Sequence, residues 1–157
     1  MHKIIVIGTD PPCPRCGILL RAVEEEVKEL GIDADVIHMN YTDDEARKIA
    51  DQLGLIPGTA KDVLRKQNSD FDFNRFSKIK KNYLSEENTE YQKYNSFNWT
   101  YELDEFLRPF EKAAKEQGIL MTPIMVIDDV LIHMGSVPRL KKLKEILAGL
   151  VLSKKET

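Results

Sequence analysis

Two short apolar segments separated by one amphipathic helix, all within the first 40 residues, constrain this chain more than any other feature. Ile4, Ile5, Val6 and Ile7 form a continuous apolar run ended by Gly8, the pattern of a strand covered on both faces. From Gly17 to Leu30 the residues Leu19, Val23, Val27 and Leu30 recur at helical spacing, with Glu24, Glu25, Lys28 and Glu29 opposite and Gly31 as a stop. Ala34 to Met39 reads as a second strand. Strands joined through a helix need a crossover connection, so this half is predicted to be a right-handed βαβ unit with parallel strands. Thr42-Asp43-Asp44-Glu45 then predicts a capping box, with the Thr42 hydroxyl accepting from the Glu45 amide at the start of a second helix that runs to Gly54.

Past residue 56 the composition changes. Of the twelve aromatic residues, eleven fall between Phe71 and Phe110, and only Tyr41 lies outside. Residues 57–118 carry eleven basic and eleven acidic side chains, with helical runs expected over Thr59 to Gln67 and Thr100 to Gln117, the second kinked or restarted at Arg108-Pro109. This stretch is read as a helical insertion. Trp99, Tyr101, Phe106 and Phe110 either line a peptide groove or form the insertion's own core and its contact with the sheet. A strand over Ile119 to Ile127, an Asp128-Asp129 turn and a strand over Val130 to Met134 predict a hairpin. A last helix follows with the stripe Leu140, Leu143, Leu147 and Leu150, and 153–157 is a polar tail. The expected division is therefore 1–56 with 119–152 as one domain and 57–118 inserted into it.

Total composition narrows the function classes. A chain of 157 residues with 42% apolar and 31% charged side chains is neither disordered nor collagenous. Its net charge of -3 offers no uniformly positive face for phosphate backbones, so nucleic acid is not an expected partner. No apolar run approaches the roughly 18 residues of a membrane span, and no signal-peptide core precedes Ile4, which makes the cytoplasm the expected compartment.

The two cysteines, Cys13 and Cys16, lie in Cys13-Pro14-Arg15-Cys16 between the first strand and the first helix. A disulfide closing so small a loop constrains the unfolded chain little, so the pair reads as redox-active or metal-binding rather than as a staple. Pro14 suits the first helical position and pushes the residue before it out of the helical region, which predicts Cys13 as the N-cap. Its thiolate would meet the amides of Arg15 and Cys16 and the positive end of the helix dipole. The dipole supplies about 0.3–2 kcal/mol, roughly one pKa unit, so amides, the Cys16 thiol or Arg15 must add to it for Cys13 to ionise near neutral pH. Cys13 is the expected nucleophile and Cys16 the resolving thiol, with no organic cofactor required. Alternatives are a soft metal or metalloid held by the two thiolates for delivery, inert buried thiols, and an interaction module whose cysteines only sense redox state. His133 is expected as a packed or surface residue.

The order strand, Cys13-Pro14-Arg15-Cys16, helix, strand, helix, then Met121-Thr122-Pro123 before a hairpin and a last helix, resembles the thioredoxin-like superfamily. The ends are similar to small glutaredoxin-like redox-active disulfide proteins over Ile4 to Cys16, Val23 to Val36 and Thr122 to Pro138. The resemblance implies an α/β thioredoxin-like fold with a central mixed four-stranded sheet. It also implies thiol-disulfide exchange with a protein or low-molecular-weight disulfide or thiol partner. Pro123 would be cis opposite the cysteines, and the backbone of Thr122 would pair with a bound substrate strand beside Pro14 and Arg15. Arg15 inside the pair and Pro12 before it depart from typical thioredoxins. Segment 57–118 occupies the slot where oxidoreductases resembling DsbA carry a helical cap.

Overall fold

A computed structural model of the protein describes residues 1–9, 14–67, 74–75, 77–78 and 101–155. Alternation along strand β1 (His2–Gly8) sends Ile4 and Val6 into one apolar cluster and Ile5 and Ile7 into another, so both faces of the strand are buried. Helix α1 (Pro14–Leu30) follows, and strand β2 (Ala34–Asn40) pairs parallel with β1, Ile4 opposite Val36. This is the crossover unit expected from the sequence. Helix α2 (Asp44–Gln52) covers the second face through Ala46 and Ala50, and strand β3 (Ile56–Gly58) follows.

After helix α3 (Ala60–Gln67), the described chain continues in helix α4 (Tyr101–Gln117) and strand β4 (Ile119–Met121). Strands β5 (Ile124–Ile127) and β6 (Val130–Met134) form an antiparallel hairpin, and helix α5 (Leu140–Lys155) closes the chain. The main sheet has the order β2-β1-β5-β6, with β1 and β5 antiparallel, while β3 and β4 make a separate parallel pair. One face of the main sheet is covered by Ile18, Leu19 and Val23 of α1, Leu143 and Leu147 of α5 and Leu107 of α4. A third cluster joins Val63 of α3, Ala113 and Ala114 of α4, and Ile119 and Met121 of β4. These features define a thioredoxin-like fold.

Several local expectations are corrected. The strand read as Ile119 to Ile127 is divided at Thr122-Pro123, with the first part in the small sheet and the second in the main one. Helix α4 runs through Pro109 without restarting. Leu30, assigned to the apolar stripe of α1, is 39% exposed, and α5 continues through Ser153 to Lys155 of the supposed tail. Thr42 does not cap α2. The N-cap is Asp43, whose carboxylate accepts the Asn40 amide at 3.0 Å, while Asn40 Oδ1 takes the amide and hydroxyl of Thr42 at 3.1 and 3.0 Å. The strand-end Asn40 thus captures the hydroxyl the helix would have used. Reciprocal capping occurs instead at α3, where the Thr59 amide donates to Asp62 Oδ2 at 2.8 Å and the Asp62 amide reaches Thr59 Oγ1 at 3.4 Å.

Candidate active site around Cys16

Helix α1 begins at Pro14, a residue whose missing amide hydrogen costs nothing in a first turn. Cys13, immediately before it, lies outside the described residues. Cys16, third in the helix, is 0% exposed. It packs against Gly8 at the end of β1, where an added Cβ would lie 2.7 Å from Cys16 Cβ and 2.8 Å from its Sγ. Strand end and helix start can approach this closely only because residue 8 has no side chain.

Arg15, expected among the residues beside a bound substrate, is turned inward. It is 5% exposed, and its Nε donates to Asp104 Oδ1 at 2.7 Å. Asp104, on α4 and 3% exposed, also accepts the Val137 amide on Oδ2 at 2.9 Å. One carboxylate therefore ties the first turn of α1, the helix α4 and the segment leading into α5. Among the described residues the Nη2 atom of Arg15 is buried and has no hydrogen-bond partner. The sequence did not single out Asp104, although a signal existed: Asp104, Leu107, Glu111 and Ala114 fall at positions i, i+3, i+7 and i+10, one face of a helix. An acid sharing a face with Leu107 and Ala114 is an acid buried with a partner.

His133 on β6 is partly buried, its Nε2 2.8 Å from Ser136 Oγ. Burial pushes its pKa down. The carboxylates of Glu111 and Asp104 and a hydrogen bond with the Ser136 backbone oppose that shift, and the Arg15 charge adds to it. Arg15, Asp104 and Glu111 thus all act on His133.

Thr122 is 3% exposed, and its amide donates to the Gly58 carbonyl at 2.9 Å. That amide is already engaged within the fold and is not open to a substrate strand. The Thr122-Pro123 bond is cis, and the Pro123 carbonyl accepts the Gly135 amide at 2.9 Å. Phe106 and Phe110 are partly buried against the main core, while Trp99 and the side chain of Tyr101 lie outside the described residues. Among the described residues no group of three or more His, Cys, Asp or Glu side chains is placed to hold a metal ion. No helix among them is long and apolar enough to cross a membrane.

The fold around this helix start is thioredoxin-like. Residues 78–148 match a family model described as a thioredoxin domain, a stretch that holds Thr122, Pro123 and the hairpin but neither cysteine. The match supports a thioredoxin-like superfamily and points in general terms to thiol-disulfide redox chemistry. No curated protein and no solved structure matches the chain.

Proposed function

We propose that the protein is a cytoplasmic thiol-disulfide oxidoreductase, with Cys13 as nucleophile and Cys16 as resolving thiol. The observation that carries this reading is the complete burial of Cys16 against Gly8 in the first turn of α1, three residues after Cys13, in a thioredoxin-like fold. A buried thiol is closed to a partner's disulfide, so its role in exchange is to attack a mixed disulfide formed on Cys13, three residues earlier in the chain.

In the reducing direction the Cys13 thiolate attacks one sulfur of the partner's disulfide. A mixed disulfide forms and the other partner sulfur leaves as thiolate. Cys16 then attacks the Cys13 sulfur, its proton passing to the departing partner thiolate. The partner ends as a dithiol and the chain as a Cys13-Cys16 disulfide, two electrons having moved to the partner. The reverse sequence oxidises a dithiol partner. Amides at the α1 start and the helix dipole favour the attacking thiolate. The partner is a protein or a low-molecular-weight disulfide or thiol, and the exchange itself uses no cofactor.

Equilibration in graded glutathione buffers, with thiol trapping, peptide masses and metal content from one sample, tests the reading. The expected result is a reversible Cys13-Cys16 disulfide in wild type, a glutathione adduct trapped on Cys13 in Cys16→Ser, and no reaction in Cys13→Ser. Stoichiometric soft metal with thiols that resist oxidation would overturn it in favour of metal handling.

A further inference from the structure

Arg15 stands between the two cysteines, and its guanidinium is paired inside the protein with a carboxylate 89 residues away on α4. We propose that Asp104 is a positioning residue that sets the ionisation of the Cys13-Cys16 thiols by neutralising Arg15. Arg15 directly precedes Cys16 and follows Cys13 by two positions in the chain, so its charge belongs to the same helix start as the two thiols, and buried charges there are little screened by salt. Unpaired, the cation would stabilise thiolates. Paired at 2.7 Å, its field is largely cancelled. The second carboxylate oxygen is held by the Val137 amide at 2.9 Å, which fixes the acid against α1. Among the described residues His133 on β6 feels Arg15, Asp104 and Glu111, and Arg108 on α4 feels Asp104 and Glu111, while Asp104 is an acid that hydrogen-bonds Arg15 directly.

The consequence for exchange rests on the oxidoreductase reading: a more stable thiolate favours the reduced form and makes the disulfide a stronger oxidant. The inference itself is tested on reduced protein. Wild type, Asp104→Asn, Arg15→Met and Arg15→Met/Asp104→Asn are alkylated with iodoacetamide at mildly acidic pH, and Cys13 modification is followed by peptide mass. Asp104→Asn is expected to react about tenfold faster, Arg15→Met about tenfold slower, and the double variant within about threefold of wild type.

Opposite signs for the two single variants are a result that a purely structural tie does not give. Both moving the same way, or neither moving, would overturn the proposal. Should Asp104→Asn fail to fold, the pair Arg15→Met and Arg15→Met/Asp104→Asn decides. Loss of the uncompensated carboxylate must speed the reaction about tenfold, and equal rates sink the idea. If wild type forms no reversible disulfide, the oxidoreductase reading fails while the alkylation contrast still stands. Flat alkylation with intact exchange reverses that outcome.

Discussion

Gly8 and Cys16 occupy a space that admits no additional carbon, so substitution at residue 8 acts on the thiol directly. Gly8→Ala is expected to destabilise the reduced protein by about 1–3 kcal/mol in denaturant unfolding, and to slow closure of the Cys13-Cys16 disulfide by displacing Cys16. His133 supplies a second prediction. Its pKa is lowered in the fold, mainly by burial, so below the ordinary histidine value the unfolded chain binds more protons than the native one. Stability therefore rises with pH through this window and falls on acidification from roughly pH 7.5 to pH 5.5. In His133→Gln that part of the pH dependence should vanish from urea unfolding curves, and an unchanged slope would contradict the assignment. At this scale the sequence disclosed the cysteine pair and the proline after Cys13. It did not disclose the inward turn of Arg15, because its partner is brought close only when α4 docks on α1.

Periodicity located most of the elements, because β1 buries its apolar run and α1 and α5 bury most of the residues that their spacing marks, Leu30 being the exception. The misreadings occurred where one side chain or one backbone group outweighed the local pattern. Asn40 took the hydroxyl meant for a cap. Thr122-Pro123 divided an apolar run, and the pairing of β3 with β4 claimed its first part. Helix α4 continues through Pro109 because the residues on either side, Leu107 and Phe110, are anchored in the core, while Pro109 itself is exposed. An interior proline forfeits one backbone hydrogen bond and costs about 3 kcal/mol relative to alanine. Pro109→Ala removes no buried contact, so a gain of about 1–3 kcal/mol, seen as a higher melting temperature, is expected. A lower melting temperature would mean that the proline serves the helix.

Across the whole molecule, α4 is shared property. Leu107 lies in the cluster that includes Ile18, Leu19, Leu143 and Leu147, and Asp104 reaches both α1 and Val137. Leu107→Ala should therefore cost about 2–5 kcal/mol and lower a single cooperative unfolding transition. A separate early transition confined to α4 would show that the helix folds as an independent unit. The parallel pair and the hairpin were legible through crossover and hairpin rules, whereas their union in one four-stranded mixed sheet was an expectation from the resemblance. The second sheet was not legible, since three-residue strands leave no periodic signature. That small sheet sets Ile56 beside Ile119 and Gly58 beside Met121 in a parallel pair, so the chain that leaves β3 at Gly58 has to cross back to the opposite end of the pair to enter β4 at Ile119. Any segment spliced between the two strands would therefore have to rebuild that crossing, return a residue like Leu107 to the main core and set one acid against Arg15.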